Sequence, residues 1–239
     1  MGIWGHESTM ELPEYIETTD VRAADGTYTV MVNDMPLRTP KGHPVILLSW
    51  DLANALANEL MSIGRIDLQQ VTLYSLYASQ RDFIEARVES TIGVILQHLA
   101  GDFVLYPDAD PALAATQLAA WAPMLECWRD LGAEVPIATP LRVAQIPWEL
   151  AETLQAQLAA MSPSQLTVVV QTMTNLGSVT LGLCLAQGAI TVEQAVAALS
   201  VTASQAPRDP VNGDTHQDPL VVETGQTVRR LLQYAQLNR

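Results

Sequence analysis

The residues of this chain that could do chemistry are three scattered carboxylates and one acid-rich loop. Asp82, Glu85 and Asp102 form an acid/base set if the fold brings them together, because unequal surroundings can keep one carboxyl protonated and its neighbour ionised. Their structural reading is simpler: Asp82 and Glu85 make helix-surface pairs with Arg81, Arg87 or Arg65, and Asp102 caps a loop. Asp209, Asp214, His216, Asp218 and Glu223 offer oxygen and imidazole ligands within one stretch, but a calcium loop wants acids at alternating positions before its glycine. Acids among Pro, Asn and Gly read as hydrated loop residues, so no metal is assigned. His6, His43 and His98 fall in segments unrelated to one another.

The strong catalytic signatures are missing. A phosphate-binding loop ends in Gly-Lys-Ser/Thr, whereas the only lysine here, Lys41, precedes its glycine. GxGxxG, GxSxG, HExxH and paired CxxC patterns are absent as well, which leaves no catalytic residue and no cofactor to assign. A formal charge of -14 and the lack of any Lys/Arg cluster beyond Arg229-Arg230 exclude nucleic acid, whose binding needs phosphate neutralisation.

The elements that must position these residues follow from periodicity. The stretch 162–205 organises the chain: from 153 to 192 there is no Asp, Glu, Lys, Arg or His. Ser162 with Gln165 makes a capping box, Pro163 takes the first helical position, and Leu166, Val169, Met173, Leu176, Val179, Leu183 and Cys184 recur at three and four. The spacing predicts one buried helix of about 25 residues up to the stop at Gly188, then a second helix capped by Thr191 and Gln194. Gln171, Thr172, Thr174, Asn175, Ser178 and Gln187 interrupt it too often for a membrane span. Gln171 and Asn175, four apart, read as a satisfied buried hydrogen bond, with a polar-ligand site as the alternative.

The remaining chain divides by pattern. Residues 1–14 read as an arm, 15–100 as a β-rich domain with helices, and 101–239 as a helical domain, an α+β architecture. Alternation along Thr27 to Val32, with turn signals at Asp25-Gly26 and Asn33-Asp34 and a further strand from Val45, predicts a small antiparallel sheet of three or four strands. Helices are expected from Ser49 to about Leu60 and from 71 to 99. Others are expected from Asp110 to Gly132 with a kink or split at Pro123, from Pro147, and from 221 to 237. Residues 133–146 read as a Pro-containing connector and 206–219 as an exposed loop. Trp121 and Trp128, on one helical face, read as core. Cys127 and Cys184 read as buried thiols in a reducing compartment. The N-terminus lacks an apolar signal core or an Arg-rich amphipathic pattern, which predicts a cytoplasmic protein; a mitochondrial matrix form freed of its transit peptide is the alternative.

Taken in order, four stretches resemble the ATP12 family of F1-ATPase assembly chaperones. They are DGTYTVMVNDMPLRTPKGHPVILLSWDLANALANEL, IDLQQVTLYSLYASQRDFI, HLAGDFVLYPDADPALAATQLAAWAPMLECW and NLGSVTLGLCLAQGAITVEQAVAAL. The resemblance covers about residues 15–205 and implies a β-rich N-terminal domain, a helical C-terminal domain and no enzymatic activity. It further implies binding of the unassembled F1-ATPase α subunit, by a monomer that is not embedded in a membrane. By family position, Thr202, Gln205, Asp209 and Asp214 are the partner-binding residues. Val201 and Thr202 stand where the family has an Asp-Glu pair, its Trp-Gly is missing, and Leu60, Met35 and Pro107 replace a tryptophan and two arginines. A separate reading from another class is a small-molecule or lipid-binding module with an apolar pocket around Met173 and Leu176.

Overall fold

Asp25 and Gly26 adopt φ of 50° and 76°, the left-handed pair a two-residue hairpin turn requires. They join β1 (Thr19–Ala24) to β2 (Thr27–Val32), with Thr19 opposite Val32 and Ala24 opposite Thr27. These features belong to a computed structural model that describes residues 13–130, 137, 144–203 and 219–238. Asn33 and Asp34, at 49° and 63°, turn the chain into β3 (Met35–Pro36). Asn33 is fixed by its own amide, whose Oδ1 accepts from the Glu17 and Thr18 N–H groups while Nδ2 donates to the Tyr15 carbonyl. β4 (Ile46–Leu47) pairs with the start of β2, completing a four-stranded antiparallel sheet. The alternation read in β2 ends early: Val30, Met31 and Val32 are all buried, so this part of the strand is enclosed on both faces.

The chain divides into two units: Met1–Arg87 with Gln236–Arg239, and Val88–Ala235. In the first, α1 (Trp50–Ile63) is capped by Ser49, whose hydroxyl accepts from the Leu52 N–H, and ends at Gly64 with φ 72°. Its Leu52, Leu56 and Leu60 are buried, and the helix packs on β1 and β2. The single helix expected over 71–99 is instead three pieces. α2 (Leu73–Ser79) opens with a Thr72/Ser75 capping box, widens into a π-helical turn at Gln80–Ile84, and gives way to α3 (Val88–Leu99) in the second unit. Neither Gly nor Pro marks that break, so apolar periodicity reads straight through it.

In the second unit, the 3-10 turn Phe103–Leu105 is followed by α4 (Pro111–Asp130), α5 (Trp148–Ala160) and α6 (Pro163–Leu176). After these come α7 (Val179–Gln187), α8 (Val192–Ala203) and α9 (Pro219–Leu237). Pro123 does not split α4; the carbonyl that loses its partner belongs to exposed Ala119, where water can replace the missing bond. The long central helix is also corrected. Gly177, at φ 72°, ends α6, and Ser178 starts α7 by accepting from the Leu181 N–H. The enclosed element is therefore α7, buried continuously from Val179 to Ala186, whereas α6 exposes Thr174 and Asn175.

The close approach of α6 and α7 depends on Gly182. A Cβ there would meet Val169 Cα at 2.9 Å and its carbonyl at 3.0 Å, both backbone atoms that cannot rotate away. Gly182→Ala is expected to cost about 1–3 kcal/mol, read as a lower urea midpoint with unchanged m-value. Trp121 and Trp128 are core residues as expected, with indole N–H groups donating to the Ala198 carbonyl at 3.2 Å and the Thr180 hydroxyl at 3.0 Å. The thiol expectation is corrected: packing of α4 against α7 brings Cys127 and Cys184 to a Cα separation of 6.3 Å, and they are joined as a disulfide. One stretch among the described residues, Val88–Leu105, is long and apolar enough to cross a membrane by length and composition; it comprises α3 and the 3-10 turn, with buried Asp102 between them.

Candidate functional site

The residues singled out for chemistry are placed on different elements with different partners. Asp82, on the π-helical turn, is buried and clasps the loop that runs from Arg38 to Pro44. Its Oδ1 accepts from the Thr39 hydroxyl at 2.6 Å and lies 2.8 Å from His43 Nδ1, while Oδ2 accepts from the Lys41 N–H at 3.0 Å. The loop closes on itself as well: the Thr39 N–H donates to the His43 carbonyl, and the Gly42 N–H to the Thr39 carbonyl. Tyr74, whose phenol is pushed up by burial and further by the Asp82 charge, donates to the Arg38 carbonyl at 2.8 Å. Glu85, one turn on, faces other partners, pairing with Arg81 and accepting from the Gln80 amide.

Asp102 lies in the second unit and holds the start of α7. Its carboxylate accepts from the Ser178 hydroxyl at 2.9 Å and from Thr180 twice, through the N–H at 2.7 Å and the hydroxyl at 2.8 Å. It also caps the 3-10 turn through the Val104 N–H. Burial pushes its pKa above the ordinary aspartate value, and these donors pull it only part of the way back. The reading of Asp102 as a loop cap is thus correct but too small, and Asp82 is a buried clasp where a surface pair was expected. Asp82 and Asp102 belong to separate units, and both are taken up by donors from the chain itself.

The remaining candidates divide between described and undescribed positions. Thr202, on α8, donates to the Ala198 carbonyl of its own helix at 3.0 Å. Gln205, Asp209, Asp214, His216 and Asp218 lie outside the described residues; Glu223 is exposed on α9. Among the described residues no three His, Cys, Asp or Glu side chains converge as a metal site. Asn175 donates to the Gln171 carbonyl and side-chain oxygen on an exposed helix face, not in the core. Met173 and Leu176 are half-buried.

Sequence reasoning missed a cleft in the first unit. It holds about 580 Å³ and is lined by apolar Ile46, Leu48, Tyr77 and Leu237, with Arg81 and Glu85 adding polar groups. One hydroxyl borders β4: Tyr77 Oη accepts from the Ile46 N–H at 3.2 Å and donates to the Ile46 carbonyl at 3.0 Å, the pair of bonds a neighbouring strand would make. Burial raises the Tyr77 phenol pKa, which keeps that donor protonated. The available signal was Trp50 lying off the buried stripe of α1; Leu48, expected to end the strand from Val45, instead lies beyond β4 and is exposed.

This arrangement of sheet, helix and clasped loop lies within a stretch that is similar to a known sequence family. Residues 15–129 match the model of the ATP12 chaperone protein family. No curated protein matches the chain by sequence. Among solved structures, Atp12 from Paracoccus denitrificans is 22% identical, with a TM-score of 0.75 over 95% of this chain and 98% of that one. An aspartate-to-lysine mutant of the Paracoccus protein gives 24% identity and a TM-score of 0.74, covering 95% and 97% of the two chains. A candidate chaperone from Agrobacterium tumefaciens gives 24% and 0.74, covering 94% of this chain and 85% of its own. At these identities the structures establish a shared ATP12 fold. The residues matched to ATP12 include Asp82, Asp102 and the cleft residues Ile46, Leu48, Tyr77 and Arg81. Thr202, Gln205, Asp209 and Asp214 fall outside them.

Proposed function

We propose that this chain is an F1-ATPase assembly chaperone that holds the unassembled α subunit until the catalytic hexamer forms. The observation that carries the reading is the ATP12 match over residues 15–129, set in a fold shared with Paracoccus Atp12 along nearly the whole chain. The chemistry agrees with binding rather than turnover: the two buried carboxylates that could have been acid and base are saturated by hydroxyl and amide donors. A subunit awaiting its neighbours exposes an apolar interface prone to aggregation, and a chaperone that covers it must later yield to the true partner. In this reading the protein works as a cytoplasmic monomer and transforms no substrate. Thr202 and the segment through Gln205, Asp209 and Asp214 are the family positions proposed to meet the α subunit.

Purified α subunit, presented to the folded protein at physiological salt, is expected to form a complex stable to gel filtration. Addition of the β subunit is expected to displace the chaperone. Failure of a folded sample to bind the α subunit rejects the proposal.

A further inference from the structure

The segment 35–50 is cationic in an acidic chain. It contains no Asp or Glu, although the protein carries 26 of them, and it holds Arg38, Lys41 and His43. The same segment exposes Met35, Ile46, Leu48 and Trp50, with Leu48 83% exposed. Trp50 is steadied by the Tyr28 ring at 5.4 Å, a tilted contact that leaves it half-exposed. Large apolar side chains exposed along one stretch mark an interaction site.

Its geometry favours a polypeptide. The π-helical turn serves two sides at once: Asp82 fastens the cationic loop, while Arg81 and Glu85 line the cleft beside Ile46 and Leu48. Loop and cleft meet at Pro44, which lines the cleft and pairs with Arg38 across the loop. The cleft is an open trough and no closed cavity, and at its side the Ile46 N–H and carbonyl of β4 are both taken by the Tyr77 hydroxyl. An extended segment can lay alternate side chains into such a trough.

We propose that this cleft is a client-docking surface, taking a segment that combines apolar side chains with an adjacent acidic residue. The apolar groups enter beside Ile46 and Leu48; the acid lies against the loop carrying Arg38, Lys41 and His43. Charge favours such a partner: the whole chain has a formal net charge of -14, whereas the segment 35–50 carries Arg38 and Lys41 and no acid. The inference rests on the chaperone reading and adds a second contact face to it, separate in sequence from Thr202 and its neighbours.

The test uses the full-length protein, purified F1 α subunit as the probe, and two surface variants. Leu48→Glu places an acid at the exposed lip, and Lys41→Glu reverses the charge at that position, giving up the contact of Lys41 with the Phe83 ring but not the N–H held by Asp82. Both are expected to keep the wild-type circular dichroism and melting temperature. Leu48→Glu is expected to weaken binding by about tenfold or more, and Lys41→Glu to weaken it by less while flattening its salt dependence. Wild-type binding to the α subunit with Leu48→Glu within about twofold of it overturns the docking surface and leaves the chaperone reading standing. No wild-type binding at all overturns both. Sedimentation with vesicles of phosphatidylcholine and phosphatidylglycerol is the control for a lipid surface. Wild-type association with those vesicles, lost in Leu48→Glu, assigns the face to membrane and overturns the polypeptide proposal.

Discussion

Replacing Asp102 by alanine is expected to lower unfolding free energy by about 3–5 kcal/mol, because several buried donors lose their acceptor at once. The Ser178 hydroxyl, the Thr180 N–H and hydroxyl and the Val104 N–H all point at this one carboxylate. Ser178 is also the cap of α7, and Thr180 receives the Trp128 indole N–H, so the loss spreads into the helix start and the tryptophan packing. The asparagine variant keeps the shape and one acceptor oxygen and should fall between wild type and alanine. The two variants also report on ionisation. The Asp102 pKa is raised in the folded protein, so the folded state holds that proton more tightly than the unfolded chain. The associated stability is complete below the ordinary aspartate pKa and is lost as pH rises through the raised value. The advantage of wild type over Asp102→Asn should therefore shrink as pH increases from the ordinary aspartate range upward. Urea titrations of the pair at a series of pH values measure it; an advantage that grows with pH would show that the donors, not burial, dominate the carboxyl.

Asp102 also shows where the sequence stops being informative. A lone Asp before Phe103-Val104-Leu105 announces a cap, and a cap it is, but the contact with Ser178 and Thr180 joins residues far apart in the chain and leaves no local trace. Local chemistry was legible where one turn contains the whole interaction. Asp25-Gly26, Ser49 with Gly64, Ser162 with Gln165, and Thr191 with Gln194 all behave as their residue types dictate. Gly177-Ser178 carried the same stop-and-start chemistry and was read through because the apolar positions on both sides keep helical spacing. Pro123 does not split α4, since the cost of a mid-helix proline depends on whether water can reach the freed carbonyl. The pairing of Cys127 with Cys184 required the packing of two helices, which their separation in sequence cannot supply. Of the acids proposed for partner binding, none lies among the described residues, whereas the exposed cationic-apolar segment at 35–50 could have been found by asking where cations occur with no acid beside exposed apolar residues.

Asp82→Ala is expected to destabilise the first unit by about 2–4 kcal/mol, the second large effect. The side chain is fully buried, and its removal strips the acceptor from the buried Thr39 hydroxyl and the Lys41 N–H together. Asparagine replaces one acceptor oxygen with a donor that faces other donors, so it should recover only part of the loss. The local signature distinguishes this clasp from general core damage: hydrogen exchange of the Lys41 amide should accelerate far more than that of the Val30 and Val32 amides. The Gly42 and His43 amides, bonded to Thr39, should follow Lys41. Uniform acceleration across the sheet would instead mean that Asp82 supports the whole unit and not the loop. The comparison also separates fold from surface. Leu48→Glu leaves every bond of the clasp intact and Asp82→Ala leaves Leu48 in place, so a client that needs an ordered cationic loop beside an apolar lip should bind weakly to both. Only the Asp82 variant should show early unfolding.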